Sequence, residues 1–236
     1  MVGNVSDPPE KGKVGKFVEP AVEAALSVVP VAGGPLAVLW KQFAGAAYEK
    51  RRQAWSEEIS SAINDLLSRV DGLEALSLGE NEEFLDALAY ATAAAVVTSQ
   101  TEKLQALRNA VLNSALPSDI NADKQAMFLQ YVRDFTPSHL KLLRLLDDPP
   151  AWFRDSGRAW PELYTGSLGN IIEAGIPEFA GQRALYDQLG NDLAAVGMTN
   201  TGGFHAMMTP NGLTAGRLTE TGREFVSFIT DPRDRL

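Results

Sequence analysis

From Leu36 to Val70 the apolar residues recur mostly at steps of three and four. They are Leu36, Leu39/Trp40, Phe43, Ala47, Trp55, Ile59, Ile63, Leu66/Leu67 and Val70. This spacing puts them on one stripe of a helix, with Lys50, Arg51, Gln53, Glu57, Ser60 and Asp65 opposite and Asp71-Gly72 as the stop. A helix of ~35 residues spans about 50 Å. Glu49-Lys50-Arg51-Arg52 interrupts the stripe and reads first as a solvated face. Upstream, residues 24–40 form a seventeen-residue block without a charge. One reading folds it as a helical hairpin, broken at Pro30, turned at Gly33-Gly34 and restarted with Pro35 at the first helical position. The other inserts it partly into a bilayer. It falls short of the ~20 residues a spanning helix needs, and its prolines and glycines break it, which favours packing in a core.

The same periodicity continues through shorter helices. Asn81-Glu82-Glu83 reads as an N-cap followed by acids in a first turn. Phe84, Leu85, Leu88, Ala91, Ala95 and Val96 form the buried side of that helix, and Ala93-Ala94-Ala95 permits a close neighbour. Ser99-Gln100-Thr101-Glu102 has the spacing of a capping box and precedes Leu104, Leu107, Val111 and Leu112; Pro117 stops that helix. A further helix covers 122–134, with Met127, Phe128, Tyr131 and Val132 inward. Thr136-Pro137 opens a leucine-rich helix that Pro149-Pro150 ends, and an irregular Trp-containing loop over 151–164 leads to Ser167-Leu168. The spacing predicts a helix over 181–196, with Leu185, Tyr186, Leu189, Leu193 and Val196 on one face and Gly197 as its stop. Residues 204–208 and 213–217 read as two strands joined by Thr209-Pro210-Asn211-Gly212, since Asn-Gly is a strong hairpin signal. Thr219-Glu220-Thr221-Gly222 opens a last helix. The expected fold is mainly α: a flexible leader (1–18), a helical bundle on one long helix (19–135), and a winged-helix-like domain with a short β-hairpin (136–236).

Charge is unevenly spread. Of the net −9, residues 1–53 carry seven basic and five acidic side chains, residues 54–135 five and thirteen, and residues 136–236 nine and twelve. Only the head of the chain is basic. With no cysteine, disulfides, thiolate zinc sites and a cysteine nucleophile are excluded, and the composition suits a reducing cytoplasm. No signal peptide is legible, because the apolar block starts past residue 20 and Trp40-Lys41-Gln42-Phe43 is no small-residue cleavage site.

The two histidines, His139 and His205, lie far apart without a neighbouring ligand pattern, and each reads as structural. Gly33-Gly34 lacks the Gly-Lys-Ser/Thr tail of a phosphate loop. The adjacent acids Glu57-Glu58, Glu82-Glu83 and Asp147-Asp148 point to different sides of a helix, so they cannot converge as acid and base. The expectation is a non-enzymatic protein with no catalytic, cofactor or metal residues. A DNA-reading winged helix needs cations on its third helix and wing. Here the exposed side of 181–196 offers Arg183 against Asp187 and Asp192, and the wing adds only Arg217. Arg183 and Arg217 are the candidate nucleic-acid contacts, and protein contacts are favoured over DNA.

The order of parts resembles the alpha-helical abortive-infection family of bacterial phage defence. The resemblance rests on the broken apolar head with its Lys/Arg follow-on, on Asn81-Glu82-Glu83-Phe84-Leu85, on Thr136-Pro137-Ser138-His139-Leu140, and on Leu218-Thr219-Glu220-Thr221-Gly222-Arg223. The last opening is shared with many winged helices. The resemblance implies a defence effector or adaptor, and the family supplies no catalytic residue to carry over. Such a protein is expected in the cytoplasm, binding a protein partner or itself and touching the membrane as a peripheral protein in the variant reading. Val28, Val29, Val31, Leu36, Leu39, Trp40, Lys50, Arg51 and Arg52 are the candidate membrane or partner contacts. The alternatives are a DNA-binding regulator and an oligomeric scaffold whose long helix pairs with its copy.

Overall fold

The computed structural model describes the backbone of residues 35–235 and the side chains of residues 45–235. The expected leader, the apolar block as far as Gly34 with Val28, Val29 and Val31, and the side chains of Leu36, Leu39 and Trp40 lie outside the described residues. What is described is mainly α-helical. Helix α1 runs Pro35–Arg69, beginning at the proline that the pattern placed first. Among the described side chains its stripe is buried from Trp55 onward, through Ile59, Ile63, Leu66 and Leu67. From residue 45 to 54 no side chain is buried, Ala47 included. Trp55 closes the packed part by donating from Nε1 to Thr92 Oγ (3.0 Å).

A short turn, α2 (Ala75–Leu78), leads to α3 (Glu82–Val97), α4 (Thr101–Ser114) and α5 (Ala122–Asp134). Asn81 caps α3 by accepting from Phe84 N (2.9 Å). The small residues Ala87, Ala91 and Ala95 let α3 lie against both α1 and α4. The expected capping box of α4 is not made: Gln100 is the N-cap without a side-chain bond, and Thr98 Oγ instead accepts from Gln100 N (3.2 Å). Met127 is 49% exposed, because α5 turns Phe128 and Val132, not Met127, to the core.

The C-terminal helices are α6 (Pro137–Asp147), α7 (Pro149–Asp155), α8 (Leu168–Gly175), α9 (Arg183–Ala195), α10 (Pro210–Thr214) and α11 (Glu220–Phe228). Leu140, Leu142, Leu143, Leu145 and Leu146 of α6 are buried at the centre, with α9 and α11 packed on it. Pro149-Pro150 ends α6 but also starts α7, since proline costs nothing in a first turn and Asp148 caps it from Ala151 N (2.9 Å). The Trp-containing loop is therefore helical over its first residues.

Among the described residues there is no strand pairing of 204–208 with 213–217. Thr209 and Pro210 repeat the Thr136-Pro137 pattern, N-cap then first-turn proline, and Thr209 Oγ accepts from Gly212 N (3.4 Å). Asn211-Gly212 is thereby drawn into helix α10, and the expected hairpin turn is lost. Two isolated antiparallel bridges stand instead, Gly166 with Met208 and Thr199 with Leu218.

The two halves share one continuous cluster of buried side chains, from Trp55 to Ile229. Phe128 of α5 meets Phe225 and Phe228 of α11 at 5.3 and 5.7 Å between ring centroids. At the end of α11, three carbonyls are satisfied from α4. Asn113 Nδ2 donates to Phe228 O and Thr230 O (2.8 Å each), and Asn109 Nδ2 donates to Ile229 O (2.9 Å). Arg233 then bridges Asp231 (2.6 Å) and Asp65 of α1 (2.8 Å), and Arg108 reaches Asp231 (3.3 Å) and Glu58 (3.4 Å).

The Leu218-Thr219-x-x-Gly222 opening has a physical reason here. Thr219 caps α11 from Gly222 N (3.0 Å), its own N–H donates to Met198 O (3.0 Å), and Gly222 passes so close beneath that carbonyl that no Cβ fits. Gly222→Ala is expected to destabilise the chain by about 1–3 kcal/mol, read as a lower urea midpoint. The Asp231 carboxyl is held below its ordinary value, first by the hydrogen bond from Arg233 and against the opposing effect of burial. Its stabilising contribution is present above the unfolded aspartate value of about 3.9 and is lost as pH falls through the lower folded value. Denaturation followed from pH 6 to pH 2 should show this fall, and Asp231→Asn should be less stable at pH 6 with a shallower acid loss.

Candidate interaction site

Helix α9 and the segment after it, 199–218, carry most of the polar side chains that the sequence marked in the C-terminal half. Arg183 is well exposed and pairs along the helix with Asp187 at 3.5 Å. Asp187 also takes both short contacts of His205 Nε2, at 2.7 and 2.9 Å. Beside them Tyr186 donates to Glu173 Oε1 (3.0 Å), and its ring lies 5.9 Å from His205. Burial first, then the bond to Glu173, pushes the Tyr186 phenol up to about 12. Glycine at 169 makes room for this group, since a Cβ there would touch Tyr186 Oη and His205 Nδ1 at 3.2 and 3.3 Å.

The arrangement is a closed polar cluster. His205 holds Asp187 through Nε2, and its Nδ1 lies where a Cβ at residue 169 would come within 3.3 Å. His139 is 8% exposed. Its Nδ1 accepts from Thr136 N (3.1 Å), which places its proton on Nε2, facing Asp192 Oδ2 at 3.3 Å. It closes the capping box of α6 and stacks on Phe135 at 5.1 Å. Among the described residues no three His, Asp or Glu side chains gather as a metal site.

Arg217, expected to face outward from a wing, turns inward. Its N–H groups turn inward to Gly212 O and Met208 Sδ, and its Nε is buried without a partner. It forms one wall of a cleft of about 400 Å³ shared with Asn200, Phe204, His205 and Met208. Arg183 and Arg217 are thus not brought together on one phosphate-facing surface. Three large apolar side chains are exposed nearby: Tyr164 at 96%, Met207 at 69% and Leu185 at 40%. Tyr164 and Met207 flank the Gly166–Met208 bridge. Sequence periodicity put Leu185 inward and passed over the other two, because exposure on an irregular segment leaves no periodic trace.

In the basic cluster of α1, Lys50 is exposed, Arg52 pairs with Glu49 (2.6 Å), and Arg51 sits 5.9 Å from the Tyr48 ring and 3.5 Å from Val96 O. Among the described residues no helix is long and apolar enough to cross a membrane.

The Tyr186 phenol generates a pH signature. Its folded value lies above the unfolded value of about 10, so its contribution is complete below pH 10 and is lost as pH rises toward the folded value of about 12. Stability should fall across that window in denaturation experiments and fall less in Tyr186→Phe, which should itself cost about 1 kcal/mol at pH 7 by losing the bond to Glu173.

In comparison with known proteins, no family model, no curated protein and no solved structure matches this chain.

Proposed function

We propose that residues 136–235 form a reduced winged helix used for protein contacts, in a non-enzymatic effector or adaptor of the abortive-infection kind. In support, α6, Gly166, α8, α9, Thr199 and Leu218 follow one another in the order of a winged helix, with α7 inserted after α6 and with Thr199 and Leu218 the two ends of one bridge. The wing is cut down to single bridges and holds α10 within it.

The observation that carries the reading is the disposition of charge on this face. Arg183 is matched by Asp187, His205 by the same carboxylate, and Arg217 by a carbonyl and a thioether. DNA affinity comes largely from cations delivered to phosphates, and each of these has a partner on the chain itself. Exposed Tyr164, Leu185 and Met207 are instead the kind of residue that anchors protein interfaces. The unburied part of α1, with Lys50, Arg51 and Arg52 and with Leu36, Leu39 and Trp40 ahead of them, is the second contact, to a protein partner, a copy of the chain or a membrane surface.

Two measurements test this. Random duplex DNA at low salt should give no complex below about 10 μM protein; a shift abolished by Arg183→Ala would restore the regulator reading. In bacteria expressing the chain, phage yield should drop. The drop should be lost in the Tyr164→Ala/Met207→Ala double variant and kept in His205→Asn. No protection at all removes the defence reading, and loss in a folded His205→Asn points to catalysis instead.

A further inference from the structure

One cleft of the bundle has a wall unlike the surface around it. Residues 54–135 carry thirteen acidic and five basic side chains. Yet the cleft of about 380 Å³ at the corner between α3 and α4 is lined by Lys103 and Arg133 and by no carboxylate. Thr98, Ser99 and Gln100 make up its polar wall, and Val97, 67% exposed, stands at its apolar side.

The two cations reach this cleft from different helices, Lys103 from the first turn of α4 and Arg133 from the last turn of α5. Lys103 Nζ donates to the Arg133 carbonyl, an anchor that leaves two of its three N–H groups. Arg133 Nε is taken by Asp134 (3.0 Å), and its two Nη groups have no acceptor among the described residues. The guanidinium lies 6.0 Å from the ring of Tyr90, whose hydroxyl is buried without a partner. Burial pushes the Lys103 ammonium below its usual value; Asp134 opposes this and Arg133 adds to it. Two like charges, one of them partly desolvated, are therefore held together with a single carboxylate to balance them. Such an arrangement is costly unless an anion completes it. Thr98 Oγ accepts from Gln100 N and keeps its own hydrogen to donate. Ser99, released from the cap it was expected to form, keeps its hydroxyl on the same wall. The cations, not the helix end, supply the charge.

We propose that this cleft binds a phosphate monoester. The dianionic head would sit between Lys103 and Arg133, with the Thr98 and Ser99 hydroxyls on its remaining oxygens and a small organic remainder over Val97. The volume lies in the range of small-ligand sites, and two cations match the charge of about −2 that a monoester carries above its second pKa of about 6. A soluble ester and a phosphatidic acid headgroup present the same chemistry.

The test titrates the full chain with glycerol 3-phosphate by calorimetry at low salt. Saturable binding is expected, weakened about tenfold or more in Lys103→Gln and in Arg133→Gln. Arg154→Gln, a change at an exposed cation outside the cleft, should leave it unchanged. Flotation with phosphatidic acid vesicles, set against phosphatidylcholine alone, separates the sources: capture that both cleft variants lose assigns the lipid, and no capture assigns the soluble ester. Should the variants fail to fold, the unaltered chain still answers. Glycerol 3-phosphate should slow acylation of Lys103 severalfold, measured by mass spectrometry, and leave Lys124 unaffected. Absence of saturable binding, binding by both cleft variants equal to that of the unaltered chain, equal loss in Arg154→Gln, or unprotected Lys103 would each overturn the proposal.

Discussion

The last carbonyls of a helix have no partner within it, and when the end is buried something else must supply one. At the end of α11 that supply comes from two asparagines of α4, which donate to three consecutive carbonyls, those of Phe228, Ile229 and Thr230. Asn109 is itself 5% exposed, so its amide has no water to fall back on, and neither element can withdraw without orphaning the other. The Phe128–Phe225–Phe228 contacts lie in the same interface between the halves, and the Asp65–Arg233–Asp231–Arg108 chain of ion pairs closes it at the surface. The C-terminal half is thereby fastened to α4, and through α4 to α1 and α3.

The segment 199–218, with so little ladder, is likewise held by contacts outside itself. Single bridges cannot hold an extended hairpin, and the segment 199–218 is fixed largely by other means. Arg217 N donates to Leu146 O at the end of α6 (2.7 Å), Thr219 Oγ donates to Gly197 O (2.7 Å), and Phe204 packs so tightly on Gly190 that a Cβ there would collide with its ring. Arg217 and His205, both half-buried, turn their polar groups to neighbours in this segment and in α9.

Features set by neighbours in sequence were legible, and features set by neighbours in space were not. Asn81 as a cap, Pro35 as a first residue, the bounds 122–134 and Gly197 as a stop each depend on a few adjacent residues, and each stands as read. The hairpin misled because two local signals overlapped. Asn211-Gly212 favours a turn between strands, but Thr209-Pro210 favours a helix start one residue earlier, and the start prevailed. Met127 and Leu185 fell on the right helices but the wrong face, since their stripes were drawn one residue too wide. The clamp from Asn109 and Asn113 to residues more than a hundred positions away left no local mark, and neither did the meeting of Lys103 with Arg133.

The basic cluster of α1 draws on less charge than its sequence suggests. Arg52 is neutralised by Glu49 one turn earlier, and Arg51 is drawn toward Tyr48 and the α3 carbonyl of Val96. Lys50 is left as the cation of the three with no partner among the described residues. A cation near an anionic bilayer contributes about 1 kcal/mol, and stable attachment takes more than one such signal. The two arginines, each with a neighbour of its own, thus add less to any membrane attachment at this end than their charge suggests. A protein surface makes a smaller electrostatic demand: it needs only to cover the helix from Gly45 to Ala54, whose side chains the core leaves unburied.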